Sequence, residues 1–335
     1  MMIEFCGEKD LAQVMQFIND FWKKDHILAT SKEMFDYQYY DQAAGRYNMI
    51  ISKDDNNELE CVLGFIPTSR FDKALAKKDV IWLSLWKSRE DASNPFIGIM
   101  VYSFLRQHYE HSFIATNGMS AIAEQLYNHL GFEVQSLYHL YIANPTINDF
   151  KIAHSPKFSD NDVEILFELE LVDSVDIRSI GYHESTCYKN VRYLVNKYLN
   201  HPYYRYSFLT IPEEDLLIVC REITISKRKI LRIIDFYGQP ASMARVSKSL
   251  ESFIIKNGYE YIDILISTDI STITHSKFIL NNTDSATIIP NYFEPFDSRN
   301  VEIKFAMHPK LMDGYFVTKG DGDQDRPTLI KGLNI

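Results

Sequence analysis

The feature of this sequence that most limits its possible folds is a repeated order of predicted elements. Apolar residues spaced by about 3.6 or about 2 positions assign helices and strands along the first half. The predicted helices cover 10–22, 32–42, 98–109 and 121–132, and the predicted strands cover two arms within 47–71, then 79–88, 112–118 and 133–142. This alternation predicts an α/β (α+β) domain in which helices flank a sheet.

The second half follows the same order of helix, hairpin, long strand, helix and strand. Its elements are predicted at 188–199, 204–211, 215–225, 229–238, 241–258 and 261–267. Between the halves, residues 142–160 lack periodicity and contain Pro145 and Pro156, which predicts a crossing segment. We therefore expect two domains of the same build, over residues 1–145 and 146–335. A chain of 335 residues is long enough for both.

Composition and charge exclude several classes of protein. With 46% hydrophobic and 24% charged residues, the chain is typical of globular proteins and not of disordered ones. Its formal charge of -10 is the wrong sign for a nucleic-acid-binding protein, which needs clustered Lys and Arg to neutralise phosphates. No apolar run reaches the roughly 18 residues that span a bilayer, so we expect no membrane partner.

The N-terminus and the cysteines indicate the compartment. Glu4, Glu8, Lys9 and Asp10 stand where a signal peptide needs an unbroken apolar run, so we expect no secretion. The four cysteines are far apart and form no CxxC pair, which favours neither a zinc site nor a disulfide framework. They are Cys6, Cys61, Cys187 and Cys220. The sequence therefore predicts a reduced, cytoplasmic protein without a metal site.

Residues 121–134 carry the most informative motif of the chain. Small residues open a predicted helix, and Tyr127 precedes a Leu-Gly-Phe triplet; the matching positions are Asn117, Ala121, Ala123, Tyr127, Leu130, Gly131 and Phe132. The segment resembles a motif of the GNAT acyltransferase superfamily. The resemblance implies that Tyr127 faces the thioester sulfur and protonates the departing thiolate. The alternative for Tyr127 is a core aromatic residue on an amphipathic helix with a glycine C-cap.

The loop 89–99 lies where the GNAT superfamily places its cofactor loop. A helix N-terminus offers unpaired N–H groups and a favourable dipole to an anion, and in the family these bind the pyrophosphate of coenzyme A. Gly98 matches the last glycine of the pattern, but Phe96 replaces its first glycine and Ser93 its usual Arg or Gln. The resemblance implies acetyl-CoA as cofactor, held by Ser93, Asn94, Phe96, Ile97, Gly98 and Asn117. An ordinary strand–helix loop is the alternative.

The corresponding turn of the second half, 236–242, is shorter and keeps only Gly238. We therefore expect a second GNAT-like domain that does not bind coenzyme A and closes the acceptor pocket. Each domain is expected to hold a mixed, mostly antiparallel sheet flanked by helices. The duplicated architecture is similar to that of Fem peptidyltransferases and protein myristoyltransferases.

Two further regions, 21–39 and 319–327, resemble acyltransferases encoded among bacterial surface-polysaccharide genes. This resemblance implies transfer of an acyl group, most simply acetyl, to a nucleotide-linked amino sugar for O-antigen or capsule synthesis, by a monomer or homodimer. Within 319–327, Asp321, Asp323 and Asp325 alternate like the start of a calcium loop. Because Arg326 stands where that loop needs glycine, we expect no calcium. A solvated turn that docks Arg326 on the body, or a contact with the sugar nucleotide, are the two interpretations left for this segment.

Acyl transfer to an amine also needs a base that accepts a proton. His26 is the first candidate, because its ordinary pKa lies near neutrality, and Asp235 is the second. Candidates for substrate binding are Tyr37, Tyr39 and Arg326. For each of these residues, capping, core packing or a surface position is the alternative role. Two other functions stay open for the whole chain: a catalytically silent GNAT-fold scaffold, and a Fem-like aminoacyl or peptidyl transferase.

Overall fold

The structure, a computed structural model, describes residues 1–175, 188–273, 275–282, 286–293, 295–310 and 315–329. The α-helices are α1 (Leu11–Phe17), α2 (Ile27–Thr30), α3 (Lys32–Tyr39), α4 (Ile97–His108), α5 (Ala121–His129), α6 (Val191–Tyr198), α7 (Pro240–Arg245) and α8 (Ser247–Asn257). A π-helical turn (Ile18–Trp22) continues α1, and 3-10 turns cover Glu8–Asp10, Thr68–Arg70, Lys73–Lys78, Pro212–Glu214 and Ile270–Thr272.

The strands fall mainly into two large mixed sheets. Those of the first half are β1 (Met2–Phe5), β2 (Tyr40–Asp41), β3 (Arg46–Tyr47), β4 (Met49–Lys53), β5 (Leu59–Pro67), β6 (Val80–Ser88), β7 (Phe113–Asn117), β8 (Glu133–Ser136) and β9 (Tyr138–Ala143). Those of the second half are β10 (Ser207–Ile211), β11 (Leu216–Ile225), β12 (Arg228–Tyr237), β13 (Tyr261–Ser267), β14 (Ile279–Leu280), β15 (Tyr292–Phe293), β16 (Phe296–Asp297), β17 (Lys304–His308) and β18 (Val317–Thr318).

The two sheets have matching strand orders. The first runs β1-β4-β5-β6-β7-β17-β8, and the second runs β10-β11-β12-β13-β9-β14, with β18 also paired to β13. In each sheet one pair is parallel, β6 with β7 and β12 with β13, and the remaining pairs are antiparallel. Helices α1–α3 pack on one face of the first sheet, and α4 and α5 pack on the other. The predicted fold class, tandem mixed sheets flanked by helices, is confirmed.

The two halves exchange one strand in each direction. Strand β9 from the first half pairs with β13 and β14 in the second sheet. Strand β17, near the C-terminus, lies between β7 and β8 in the first sheet. Both exchanged strands occupy the equivalent place beside the second strand of the parallel pair. The sheets therefore do not divide at residue 145, although the domain limits of 1–145 and 146–335 stay a prediction.

Most predicted elements match the structure within a few residues, and two are broken. The single strand predicted at 133–142 is divided at Leu137 into β8 and β9, which belong to different sheets. The single helix predicted at 241–258 is divided at Val246 into α7 and α8. Strand β17 is absent from the sequence prediction, although residues 301–308 alternate apolar and other side chains as a strand does.

Two further sequence predictions concern the cysteines and helices that could span a membrane. Cys6, Cys61 and Cys220 are buried free thiols, and Cys187 lies outside the described residues. Within the described ranges the longest helix has 12 residues, and no helix there is long and apolar enough to span a membrane.

The segment 317–326, which we call the tail, lies between the two halves and not on the surface. Lys319 donates its backbone N–H to Leu265 of β13, and Gly320 donates to Ile234 of β12. These two strands are in parallel register only from Leu231 to Ile233 on the β12 side, so the tail fills the gap beyond that register. A β-bulge at Ile234 marks the point of divergence. The interpretation of this segment as a solvated turn is wrong, because Asp321 is fully buried.

Candidate functional site

The first sheet opens between β6 and β7, as the second does between β12 and β13. The parallel register ends at Leu83 paired with Thr116, while β6 continues to Ser88. A β-bulge places both Ser84 and Leu85 opposite Gly64 at this point. Such a bulge leaves one residue out of the ladder and turns the strand away from its neighbour. The first sheet therefore has a splayed edge at the ends of β6 and β7.

Tyr127 lies on the α4–α5 side of this opening. It is buried on α5, with its ring 6.1 Å from that of Trp86 on β6 and 5.0 Å from that of Phe132. Burial raises the pKa of Tyr127 to about 12, and Thr116 on β7 hydrogen-bonds with its side chain. The hydroxyl therefore keeps its proton at neutral pH, which a proton donor to a departing thiolate requires.

The residues expected to hold coenzyme A fit a pyrophosphate in part. Helix α4 begins at Ile97 without a side-chain cap on its first turn and without an acidic residue there. Asn94 accepts the N–H of Phe96 at 2.9 Å through its side chain and the N–H of Ile97 at 3.1 Å through its carbonyl, while the Phe96 ring is 70% exposed. A Cβ on Gly98 would lie 3.3 Å from Ser88 Oγ and 3.4 Å from Trp86 Nε1, so the strand packs closely under the helix start.

Two features reduce how well these residues can bind coenzyme A. The backbone N–H of Ser93 already donates to the carboxylate of Glu60 at 2.5 Å, which takes one loop donor and adds a negative charge. The indole of Trp86 stacks on Tyr102 of α4 at 5.5 Å while it also faces Tyr127, so it bridges the two helices above the splay. A pantetheine chain between α4 and α5 would have to displace this indole.

Asn117 faces the tail and not the cofactor loop. Its side-chain amide donates to the carbonyls of Thr318 at 2.9 Å and Asp321 at 3.1 Å. Its own backbone carbonyl accepts from the Gln324 amide at 3.3 Å. These contacts assign Asn117 to holding the tail against β7, which argues against the pyrophosphate contact expected from the resemblance.

A cavity lies between the two halves, on the α1–α3 side of the first sheet. Including its open mouth it encloses about 650 Å³. Ser84 on the β6 bulge and Gly118 just after β7 both line it, and Ser84 Oγ lies 2.8 Å from the hydroxyl of Tyr39 on α3. The remaining lining residues are Trp22, Tyr204, Arg221, Arg232, Tyr292, Phe293, Lys319, Asp323, Gln324, Asp325, Arg326 and Thr328. The cavity thus reaches the splayed edge from the side opposite Tyr127.

Basic side chains outnumber acidic ones in this cavity. Arg221 binds Asp325 through Nε at 3.1 Å and Nη2 at 2.8 Å, and Arg326 binds Asp323 at 2.9 Å. Arg232 is fully buried behind them and pairs with a carboxylate outside the lining. The aspartates of the tail therefore meet different cationic groups and do not converge on one point. Among the described residues, no group of His, Cys, Asp and Glu side chains could hold a metal ion.

His26 lies near the cavity but is not exposed to it. Its Nδ1 accepts the N–H of Leu28 at 3.1 Å as the N-cap of α2, and its Nε2 lies 2.7 Å from Arg326 Nη1. Burial, followed by the positive charge of Arg326, lowers the pKa of His26 to about 2. A histidine in this setting stays neutral, and its acceptor nitrogen, Nδ1, is already taken by the Leu28 N–H, which argues against the general base predicted from the sequence.

Asp235 is also engaged in a buried network. Its carboxylate accepts from Lys189 at 2.7 Å, Thr318 at 2.9 Å and Tyr198 at 3.0 Å, and it is fully buried. Lys189 also donates to Asp321 of the tail at 2.7 Å. A carboxylate held by three donors away from the cavity fastens the tail to β12 and α6, and this argues against a base role.

The predicted substrate contacts differ in position. Tyr39 is fully buried, so it cannot stack on a ligand, and its hydroxyl contacts Ser84 of the cavity lining. Tyr37 lines a smaller neighbouring cavity and donates to a backbone carbonyl of α6. Arg326 does line the interdomain cavity, as expected of a substrate contact. Sequence reasoning missed Trp22 and Lys319 as lining residues, although both fall inside the two segments, 21–39 and 319–327, singled out by resemblance.

Comparison with known proteins supports the fold. No family model and no curated protein matches the chain. Its structure is similar to that of a GCN5-related N-acetyltransferase from Anabaena variabilis, with a TM-score of 0.52, 9% identity, and 91% of this chain and 72% of that chain covered. It is also similar to that of a GCN5-related N-acetyltransferase from Kribbella flavida, with a TM-score of 0.51 and 9% identity. That match covers 91% of this chain and 70% of the other. The chain has the GNAT fold predicted from its sequence.

Proposed function

We propose that the protein is an acyl-CoA-dependent N-acyltransferase that acetylates the amine of a nucleotide-linked amino sugar, the reaction implied for O-antigen or capsule synthesis. The observation that carries this proposal is that the splayed edge of β6 and β7 has a candidate donor side and a candidate acceptor side. Tyr127 and the start of α4 lie on one side, and the interdomain cavity reaches Ser84 and Gly118 from the other. An acyl group at the splay is then within reach of an amine in the cavity.

The structure of the second domain supports binding of coenzyme A by the first domain. Its own splay between β12 and β13 is filled by the tail, whose backbone N–H groups bind both strands. A cofactor chain in the second domain would have to displace these backbone hydrogen bonds. We therefore assign coenzyme A to the first domain, with the N–H group of Gly98 toward the pyrophosphate and Phe96 as an exposed apolar contact. Coenzyme A supplies the activated thioester.

The chain's own residues perform the remaining steps. Tyr127, which is protonated at neutral pH, would give its proton to the thiolate that leaves a bound thioester and would then regain a proton from water. The bulge at Ser84–Leu85 leaves one residue out of the β5–β6 ladder, and a backbone N–H there would stabilise the oxyanion that develops on a bound thioester. The amine proton passes to water at the open mouth of the cavity, because His26 and Asp235 are both engaged by other groups. The cavity walls orient the amine.

Binding of acetyl-CoA to the full chain tests the assignment. A ligand that binds only the folded state raises the melting temperature, so acetyl-CoA should raise that of the parent protein. Gly98→Val should reduce the rise, because a side chain there meets Ser88 and Trp86. Ala241→Val is the matched control, since Ala241 is likewise the second residue of a helix, α7, in the second domain. An equal rise in Gly98→Val and the parent would refute the first-domain site.

Activity against a panel of nucleotide-linked amino sugars, followed by thiol release, then tests the acceptor. Release of coenzyme A that depends on the sugar supports the proposal. Thiol release that is the same with and without every sugar of the panel counts against this acceptor class.

A catalytically silent GNAT-fold binding protein is the second candidate, and two observations favour it. Glu60 holds the loop N–H that an anion would use, and Trp86 bridges α4 and α5. Absence of any acetyl-CoA effect on the parent protein, together with binding of a nucleotide sugar, would favour this candidate over the enzyme.

A further inference from the structure

The interdomain cavity contains an ammonium group that has no ionic partner among the residues the structure describes. Lys319 is 4% exposed, and its Nζ makes one long contact, 3.5 Å, with the carbonyl oxygen of Gln324. No ion pair joins it to any carboxylate in the described ranges. A buried ammonium group with so few acceptors destabilises a fold unless something else neutralises it.

The neighbouring arginines, unlike Lys319, form ion pairs. Arg221 is paired with Asp325, Arg326 is paired with Asp323, and Arg232 is paired with Asp263 outside the cavity lining. Each guanidinium charge therefore has its own carboxylate. Lys319 is the positive charge left over in a cavity with room for a ligand.

A second buried lysine shows what a satisfied ammonium group looks like in this fold. Lys197 on α6 donates to the carbonyl of Gly320 at 2.6 Å and to the Tyr193 hydroxyl at 2.9 Å. Lys319 has no comparable pair of acceptors at such distances in the described part of the chain. An anionic ligand oxygen would supply the missing partner.

The charge state of Lys319 is compatible with this role. Burial lowers its pKa to about 8, so the group is still mainly charged at neutral pH. The other charged groups that act on it are Asp325 and Asp263, which favour the charged form, and Arg232 and Arg221, which oppose it. Since both aspartates are already paired with these arginines, none of the four provides a dedicated counter-charge.

We propose that Lys319 is the anchor for an anionic group of the acceptor, a phosphate or carboxylate oxygen, bound in the interdomain cavity. The identification of this anion as part of the acceptor rests on the proposed function. The anion site itself does not require acyl transfer. In a nucleotide-linked amino sugar the anion is the diphosphate, and Trp22, 37% exposed at the cavity wall, is available to stack on the base.

Binding of uridine diphosphate to the full chain, measured by calorimetry without coenzyme A, tests the site. The parent protein should bind, and Lys319→Met should bind about 10-fold to 100-fold more weakly, as expected when a charge-assisted hydrogen bond is lost. Lys310→Met is the control, because Lys310 is exposed and should leave affinity unchanged. The affinity of the parent should also fall as pH rises above about 8, where Lys319 loses its charge.

The variant should stay folded, because removal of an unpaired buried charge does not destabilise the protein. Lys319→Gln provides a second uncharged variant that should show the same loss. If the parent binds glucuronate in place of uridine diphosphate and Lys319→Met loses that binding, the anion is a carboxylate and the site stands. Equal affinity in parent and Lys319→Met, or binding of neither anion by the parent, would overturn the inference.

The failure of this inference and the failure of the proposed function have different signatures. Acetyl-CoA binding and acyl transfer with an unchanged KM in Lys319→Met would overturn the inference and leave the proposed function intact. Uridine diphosphate binding that depends on Lys319, without any acetyl-CoA effect, would support the inference and count against the proposed function.

Discussion

Replacement of Gly320 by alanine tests whether the tail is a structural part of the second sheet. A Cβ at this position would lie 2.1 Å from the Tyr198 hydroxyl and 2.8 Å from the carbonyl oxygen of Ile234. Both distances are shorter than any relaxed contact, so either Tyr198 or the tail must move. Movement of Tyr198 breaks its 3.0 Å bond to Asp235, and movement of the tail breaks the Gly320–Ile234 backbone bond.

The expected cost follows from these contacts. Overpacking of a dense interior costs about 1–3 kcal/mol. Loss of a hydrogen bond to a buried charged group adds about 1.5–3 kcal/mol. Together these give roughly 3–6 kcal/mol, and at about 2 °C per kcal/mol for a large chain we expect the melting temperature to fall by roughly 6–12 °C.

Thermal unfolding followed by circular dichroism measures this fall, with Gly131→Ala as the control. Gly131 has φ +81°, and a Cβ on it would have no atom within 4 Å, so alanine there costs only backbone strain of about 1–2 kcal/mol. A melting temperature for Gly320→Ala equal to that of the parent would refute the view that the tail is tightly inserted between β12 and β13.

Buried hydroxyl and ammonium groups give three further expected outcomes. Tyr127→Phe should lower kcat at least about ten-fold with little change in KM, since the proton is needed only as the thiolate leaves; an unchanged kcat removes Tyr127 from the mechanism. Lys189→Met should destabilise the protein by about 3–5 kcal/mol in urea unfolding, because Asp235 and Asp321 lose their shared cation. The lowered pKa of Lys319 means that the unfolded chain holds this proton more tightly, so stability should rise between pH about 8 and the ordinary lysine pKa, and Lys319→Met should lack that rise.

Local patterns predict the helices and long strands well, because their signals lie in neighbouring residues. The hairpin at 47–71 and the strand at 79–88 contain continuous apolar runs bounded by polar residues, and both are present as β4, β5 and β6. The exchange of β9 and β17 could not be predicted, because pairing partners so distant in sequence leave no local pattern. Position 137 carries no Gly or Pro to mark the break.

The chemistry of the candidate site residues depends on neighbours that the sequence does not reveal. Residue type pointed to His26 and Asp235 as bases, but their chemistry depends on partners: Arg326 for His26, and Lys189 for Asp235. Lys319 is the opposite case: its residue type is common, and its character arises because it is buried with no carboxylate partner in the described part of the chain. Such properties belong to the folded environment.

The reciprocal exchange of β9 and β17 also affects how the chain is made. During synthesis, β7 and β8 leave the ribosome long before β17, which must lie between them. The first sheet therefore remains unfinished, with two open strand edges, until residues 304–308 have emerged. Pairing of such distant segments slows folding, and open edges favour aggregation in the interval. Once both sheets have formed, a single cut between residues 144 and 160 would leave two fragments that still bind each other. Strand β9 of the first fragment would stay paired in the second sheet, and β17 of the second fragment would stay paired in the first sheet.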